Sequence, residues 1–275
     1  MNKPCKSSKN FKVSILAATL VLNSAFALFG YAEEAKPTEA PMWKSNIEFG
    51  FVSSSGDSET TSINGAFGAT YEVEKWKHSI LLNSFFSAAT DSDTDEDKTS
   101  AERYTLQAKT DYKFSANGYA FAIFDYANDR FSDNDYQTSI AAGRGFKFAL
   151  SETSNLDLEV GVGYRQTAKN ALVTTTVISP TVTITIFPEE KVNETIARLA
   201  ANYTADITEH SKLEQKLSIE AGEESTVSKS YTGLSANVAE NLALKLSFTA
   251  THQSNVRGDK EALNTVTAVT VVFDF

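Results

Sequence analysis

The sequence has little cysteine, proline and glycine: one cysteine, five prolines and 13 glycines in 275 residues. A single cysteine, Cys5, excludes an internal disulfide and a thiolate zinc site. The scarcity of proline and glycine excludes a collagen-like or low-complexity chain. Basic residues are also few, 25 against 35 acidic residues, and the resulting formal charge of -10 has the wrong sign for a surface that binds nucleic acid.

The amino-terminal segment differs in composition from the rest of the chain. Four lysines precede an apolar run over 13–29, and the small residues Gly30 and Ala32 follow it. This order is typical of a secretory signal peptide, so we expect a cleaved signal peptide over 1–32. A retained membrane helix is the alternative, but it would need about 20 apolar residues, and two polar residues interrupt this run. Residues 33–42, with two prolines and no periodicity, are predicted to form a periplasmic linker.

From Trp43 onward the hydrophobic pattern has a period of two residues, which is typical of β-strands. In the segment 156–164 the even positions are all apolar, whereas the odd positions are polar or glycine. Twelve segments of this kind follow one another: 43–54, 58–73, 78–89, 100–114, 119–129, 136–150, 156–167, 193–207, 212–222, 227–238, 242–253 and 262–275. No competing segment has the period of a helix, so the sequence predicts an all-β chain.

The spacers between these segments alternate between short turns, such as 115–118, and longer polar loops, such as 90–99. Long strands in even number, with short turns on one side only, are typical of outer-membrane β-barrels. A soluble β-sandwich is the alternative, but its strands usually have about five or six residues. We therefore predict an antiparallel transmembrane β-barrel of about 12 strands over 43–275, in the outer membrane of a Gram-negative bacterium. Its lumen should be narrower than that of a porin with about 16 strands.

Aromatic residues concentrate at both ends of the predicted strands, as in the two aromatic girdles of a membrane barrel. Those near the short turns are Tyr71, Trp76, Tyr112, Phe114, Tyr119, Phe148 and Phe275, and those near the long loops are Phe86, Tyr104, Tyr126, Phe131, Tyr136 and Tyr164. This distribution predicts where the barrel meets the two membrane surfaces, with lipid and lipopolysaccharide as its surroundings.

The first hairpin carries a family resemblance. It reads Trp43, then IEFGFV over 47–52, then SSGDSETT over 54–61. This resembles the YdiY-like salt-induced outer membrane proteins, a family of unknown function whose members open with a Trp, a G-F-V-like strand and an S-G-N-T-E-T-like turn. The last strand, 264–275, is similar to the closing strand of that family. The resemblance implies an outer-membrane barrel over 43–275, but no substrate.

The carboxyl terminus carries a second resemblance. The chain ends on Phe275, and Phe273, Val271 and Val269 precede it at alternate positions. This pattern resembles the C-terminal signal by which Gram-negative outer-membrane barrels are recognised for assembly. It implies that Phe273 and Phe275 are an assembly signal and that the barrel assembly machinery is a partner during biogenesis.

Strand parity predicts that charged residues of both signs face the lumen. They are Lys44, Glu48, Glu72, Arg103, Lys109, Asp111, Lys113, Lys147, Asp157, Glu159, Arg165, Glu194, Arg198, Asp206, Lys212, Glu214, Lys216, Glu220 and Lys245. Two arrangements are open: the charges pair across a filled interior, or they line a wet, weakly selective pore. Arg144, between two glycines, has lipid-facing parity unless a β-bulge turns it inward.

Three functions are consistent with the sequence. The first is a narrow passive channel, or an envelope-stress structural component, without catalytic activity. The second is a surface interaction protein that uses 171–187, a β-branched segment predicted to form a hairpin beyond the membrane with Pro180 in its turn. The third is a lipid hydrolase.

The hydrolase hypothesis depends on the segment His252-Gln253-Ser254-Asn255. It resembles the His-x-Ser segment of outer-membrane phospholipase A, another 12-stranded barrel, and that resemblance implies His252 as base and Ser254 as nucleophile. The third member should be an asparagine from the next strand, but Asn264 has lumen parity. No metal or cofactor site is predicted, because the acidic run 91–97 lacks the glycine that a calcium loop needs at its sixth position.

Overall fold

The computed structural model describes residues 43–275 apart from 55–59, 92–95, 131, 133, 179–180 and 258–260. The predicted signal peptide (1–32) and linker (33–42) lie outside the described residues, as do Pro180 and Phe131. The described strands are β1 Trp43–Ser54, β2 Thr60–Glu72, β3 Trp76–Asp91, β4 Glu96–Lys113, β5 Gly118–Asp129, β6 Asn134–Ala149, β7 Ser154–Lys169, β8 Leu172–Ile178, β9 Thr181–Phe187, β10 Glu190–Thr208, β11 Ser211–Ala221, β12 Thr226–Ala239, β13 Leu242–Gln253 and β14 Leu263–Asp274.

Twelve of these strands close into a barrel in the order β1-β14-β13-β12-β11-β10-β7-β6-β5-β4-β3-β2, and β8 and β9 form a separate two-stranded sheet. Neighbouring strands are antiparallel throughout, as in the β6–β7 and β7–β10 ladders. The predicted all-β fold with a 12-stranded antiparallel barrel is therefore confirmed. Within the described part of the chain, no helix is long and apolar enough to cross a membrane.

The barrel is apolar outside and polar inside, the reverse of a water-soluble protein. On β7, Val162 on the outer wall is 69% exposed, whereas Arg165 on the inner wall is fully buried. Such a continuous apolar outer wall is stable only against hydrocarbon. Closure of the sheet provides the backbone hydrogen bonds that hydrocarbon cannot supply.

The short turns, including 73–75 and 114–117, lie at one end of the barrel together with Phe275, and we call this the short-turn end. The opposite, long-loop end carries the β8–β9 hairpin. At the short-turn end, aromatic rings pair on the outer wall: Trp43 lies 4.8 Å from Tyr71 and Trp76 lies 4.9 Å from Tyr112, between ring centroids. These pairs are part of an interfacial aromatic belt.

One residue of the predicted girdle is not on the outer wall. Tyr119 is buried inside the barrel. Its cross-strand partner is Gly145, and the phenol ring occupies the space that a Gly145 side chain would fill. Tyr119 therefore packs into the interior, where its hydroxyl finds a carboxylate partner that hydrocarbon could not offer.

Arg144 faces outward, as strict alternation predicts. The β6–β7 ladder continues without a shift from Gly143 to Gly145, so no bulge turns the side chain inward. The guanidinium lies 4.9 Å from the ring centroid of Phe114 in the β4–β5 turn. This geometry is typical of a cation–π contact by a long side chain that reaches toward the membrane surface.

The ladder that closes the barrel is short. Strands β1 and β14 pair at four positions, from Asn46 opposite Asp274 to Phe49 opposite Val271. The other barrel ladders pair at eleven or more positions, as β13 and β14 do. Backbone hydrogen bonds in both directions between Ser45 and Phe275 extend the seam at the short-turn end.

Candidate functional site

The inner face of the barrel is identified by contacts between strands that are not neighbours. Lys109 on β4 donates to Glu159 on β7 at 2.5 Å, although β5 and β6 separate these strands in the sheet. Such a contact can be made only through the interior. Because cross-strand partners share a face, the ladder registers then assign the remaining side chains to the inner or the outer wall.

The most buried group of the interior is Arg165, near the long-loop end. Its guanidinium donates to Glu194 Oε1 from Nε (3.1 Å) and Nη2 (2.7 Å), and to the carbonyl of Ser225 at 2.5 Å. Glu194 in turn accepts the backbone N–H groups of Glu224 (2.9 Å) and Ser225 (3.3 Å). Arg165 and Glu194 are cross-strand partners on the neighbouring strands β7 and β10, and the pair fastens the β11–β12 turn to the inner wall.

This network continues through Glu220. Its carboxylate lies 3.7 Å from Arg165 Nη1 and accepts a hydrogen bond from Arg198 Nη1 at 2.5 Å. Ser139 on β6 also donates to Glu220, at 3.3 Å, and Arg198 lies 3.6 Å from a carboxylate oxygen of Asp125. Side chains from β5, β6, β7, β10 and β11 thus meet in one cluster, which we call the Arg165 cluster.

A second cluster lies nearer the short-turn end. Glu159 accepts hydrogen bonds from Lys109 (2.5 Å) and from the Tyr119 hydroxyl (2.8 Å), and Lys109 is also 2.9 Å from Asp111. Tyr119, Phe121, Ile123 and Ala141 together form a small buried apolar group. Paired charges and apolar side chains together fill this sector of the interior.

A third group lies on the opposite sector, on β1 and β11–β13. Lys245 donates to Glu48 at 2.7 Å, and its ammonium lies 5.4 Å from the ring centroid of Tyr231. Lys216 lies 5.5 Å from the same ring and 2.8 Å from Glu214. The side chains of Lys216 and Glu214 keep 46% and 29% exposure, so this sector remains open to water.

The remaining residues that were predicted to face the lumen also have inward parity. Arg103 pairs with Asp129 at 2.5 Å, and Asp206 stands opposite Lys212 in the β10–β11 ladder. Lys113 pairs with Glu72 at 2.5 Å at the short-turn end. The other predicted positions at this end are Lys44, an exposed residue, and the cross-strand partners Lys147 and Asp157.

The structure combines the two arrangements that the sequence left open. In the sector of Arg165 and Glu159 the charges pair across the interior, and this offsets the cost of removing each from water. In the sector of Lys216 charged side chains of the inner wall stay exposed. Whether this wall lines a conducting lumen stays a prediction.

Sequence reasoning missed several inner-wall residues. Asp125 and Asp129 share the parity of Tyr119, Phe121 and Ile123 on β5, and these apolar side chains hide the alternation there. Cross-strand pairing of β5 with β4 would have assigned both aspartates to the inner wall. Lys77 was missed because β3 was predicted to begin at residue 78, whereas it begins at Trp76.

The hydrolase residues do not assemble into a triad. Ser254 Oγ accepts the backbone N–H of Thr226 at 2.8 Å. His252 is the cross-strand partner of Leu263, whereas Asn264 is the partner of Thr251 and so lies on the other face of the sheet. Within the described residues, no hydrogen bond joins Ser254 to His252, and no group of acidic, histidine or cysteine side chains could hold a metal ion.

The β8–β9 hairpin pairs with no other described strand. Cross-strand partners such as Val173 and Ile186 share one face, and these two side chains are 62% and 70% exposed. Arg257, from the β13–β14 loop, donates to the carbonyls of Pro188 (3.0 Å) and Asn170 (2.5 Å) at the base of the hairpin. The hairpin is therefore anchored at its base and exposed beyond it.

Phe273 and Phe275 lie on the outer wall at the short-turn end, with ring centroids 6.5 Å apart. The carbonyl oxygen of Phe275 also accepts a hydrogen bond from Ser45 Oγ at 3.0 Å. Both residues thus belong to the seam that closes the barrel. Their role as an assembly signal stays a prediction.

Comparison with known proteins gives matches of two kinds. Solved structures similar to the chain include the translocator domain of the autotransporter NalP from Neisseria meningitidis, with a TM-score of 0.47 and 8% identity over 95% of each chain. An outer membrane channel from Pseudomonas putida F1 has a TM-score of 0.46 and 12% identity over 89% of this chain and 100% of its own. The NanC porin has a TM-score of 0.45 and 9% identity over 83% and 98%.

No curated protein sequence matches the chain. A family model does: the family described as "Protein of unknown function, DUF481" matches residues 47–275. This family is the YdiY-like family that the first and last strands resemble, so that prediction is confirmed. The chain therefore belongs to the DUF481 family, and its fold is a closed 12-stranded antiparallel β-barrel.

Proposed function

We propose that the protein is a narrow passive channel for small hydrophilic solutes in the outer membrane of a Gram-negative bacterium, without catalytic activity. The observation that carries this proposal is the exposed sector of the inner wall, where Lys216 and Glu214 keep 46% and 29% side-chain exposure. Exposed charged side chains along such a path offer contacts to ions and polar solutes.

The filled sector sets the width of this path. The Arg165 cluster and the group around Glu159 occupy the inner wall from β4 to β7 and from β10 to β11. The exposed charged side chains Lys216 and Glu214 lie outside both groups, on β11. A barrel of 12 strands that is partly filled in this way favours small solutes over large ones.

The test is single-channel conductance of the purified protein in a planar bilayer. Discrete conductance steps are expected. Lys216→Glu should shift the reversal potential in a salt gradient toward cation selectivity, because it replaces a positive charge on the exposed inner wall with a negative one. Lys191→Glu is the matched control, since Lys191 has outward parity at the far end of β10 and should leave selectivity unchanged. A silent bilayer, with insertion shown independently, would contradict the proposal.

A second candidate function, surface interaction through the β8–β9 hairpin, is favoured by one observation. Val173, Ile184 and Ile186 expose 62%, 62% and 70% of their surface on a hairpin that no other described strand covers. Extended segments of a partner bind such edges through backbone hydrogen bonds. A photo-crosslinking residue at position 186 in living cells should give a discrete protein adduct, whereas the same probe at position 246 on the outer wall should not. Failure to crosslink would contradict this function.

A further inference from the structure

A cavity of about 170 Å³ lies inside the barrel at the short-turn end, under the β4–β5 turn. Three lysines from three strands line it: Lys77 on β3, Lys113 on β4 and Lys147 on β6. Asp111, Tyr119 and residues of the β4–β5 turn form the rest of its wall. The turn is held in place by the backbone N–H of Lys147, which donates to the carbonyl of Asn117 at 2.9 Å.

The positive charges of this cavity are only partly neutralised. Lys113 pairs with Glu72 at 2.5 Å, and Asp111 is 2.9 Å from Lys109, outside the cavity lining. Within the described part of the chain, Lys77 and Lys147 form no ion pair. Lys77 and Lys147 each have a carboxylate as cross-strand partner, Asp111 and Asp157, but both ammonium groups face one partly desolvated space in which an anion can bridge them.

We propose that this cavity is a binding site for a small divalent oxyanion, such as inorganic phosphate or sulfate, held between Lys77 and Lys147. Charge-assisted hydrogen bonds from ammonium groups to an oxyanion are the strong ones in proteins. A cavity of about 170 Å³ has the volume of about five or six waters at about 30 Å³ each, which is enough for one such anion and a few waters. The proposal concerns binding and holds whether or not the barrel conducts.

The anion is a free solute and not a lipid headgroup. The cavity lies on the inner face, because Lys77 is the cross-strand partner of Asp111 and Lys147 is the partner of Asp157. The closed sheet separates this face from lipid. A soluble anion reaches the cavity through the short-turn end, whereas a lipid phosphate outside the barrel cannot.

One carboxylate competes with the anion. Asp157 stands opposite Lys147 in the β6–β7 ladder and forms no ion pair of its own in the described residues. Its negative charge therefore repels an anion bound in the cavity. Removing its charge should strengthen anion binding, and this sign is opposite to the effect expected for either lysine.

The experiment is calorimetric titration of inorganic phosphate, at low ionic strength, into the protein purified from membranes in detergent micelles. Saturable binding of one phosphate per barrel is expected. Lys77→Gln or Lys147→Gln should weaken it by about tenfold or more, as loss of one charge-assisted hydrogen bond implies. Asp157→Asn should tighten it. Lys75→Gln is the matched control, because Lys75 carries the same charge in the adjacent turn and does not line the cavity.

The proposal would be overturned by the absence of saturable heat with phosphate or sulfate, or by equal affinity in the wild type and the Lys77→Gln/Lys147→Gln variant. An equal loss of affinity in Lys75→Gln would also overturn it, because general surface charge would then explain the binding. The difference in gel mobility between boiled and unboiled samples verifies that each variant is folded. Since the readout is binding in micelles, its failure is distinguishable from failure of the channel proposal, which is measured as conductance.

Discussion

Replacing Arg165 with methionine tests whether the buried charges hold the barrel interior together. Methionine keeps most of the volume and removes the guanidinium, which is fully buried. Glu220 keeps its 2.5 Å hydrogen bond from Arg198. Glu194 loses its only ion-pair partner among the described residues and keeps the N–H groups of Glu224 and Ser225. The substitution therefore leaves one carboxylate buried without a cation.

The size of the effect follows from this geometry. Two unit charges 2.7 Å apart, as Arg165 and Glu194 are, attract by about 6 kcal/mol at an effective dielectric constant of about 20. Desolvation offsets part of this attraction, and loss of one partner of a buried pair typically costs about 3–5 kcal/mol. We expect a loss of that size in the free energy of unfolding. In Arg165→Met/Glu194→Gln no uncompensated charge remains, so the loss should fall to about 1–2 kcal/mol, the cost of the missing hydrogen bonds.

The assay is urea unfolding in detergent micelles, followed by tryptophan fluorescence. Trp43 and Trp76 are the two tryptophans of the chain, and both lie on the outer wall, so their emission reports loss of the barrel. Arg130→Met is the matched control: Arg130 pairs with Glu102 at 2.7 Å, but its side chain is 65% exposed. Such a pair contributes at most about 1 kcal/mol. Equal losses of unfolding free energy in Arg165→Met and Arg130→Met would refute the reasoning. So would a double variant that is no more stable than Arg165→Met.

Three further predictions concern the seam, the proposed nucleophile and the hairpin. In a Cys5→Ser background, Ile47→Cys with Phe273→Cys should form a disulfide, because these residues are direct cross-strand partners in the β1–β14 ladder; absence of the crosslink on a non-reducing gel would contradict the closed seam. Ser254→Ala should leave any phospholipase activity of the purified protein unchanged, and a proportional loss of that activity would revive the hydrolase hypothesis. Replacing 171–187 by two glycines should leave the urea midpoint of the barrel unchanged, since β8 and β9 pair only with each other among the described strands; a lowered midpoint would show that the hairpin supports the barrel.

The strands could be predicted closely because alternation is a local property of the chain. The predicted segments 43–54 and 242–253 coincide with β1 and β13, and the segment 193–207 falls within β10. The segment 171–187 was predicted to be a hairpin outside the barrel, and the structure pairs β8 with β9 alone. Prediction was weakest where both faces of a strand are apolar, as on β5, because the two-residue period then disappears from the sequence.

The sequence by itself determined that the chain alternates, which segments form the barrel strands, and that the apolar side is wide enough to need a membrane. Tertiary structure alone decided which inner side chains meet. Lys109 reaches Glu159 across two intervening strands, Arg165 reaches the turn at Ser225, and Lys77 and Lys147 come to one cavity. Such contacts depend on strand order, on closure and on the tilt of the strands around the barrel. A period of two residues specifies the face of each side chain, but it contains no information on its partner across the interior.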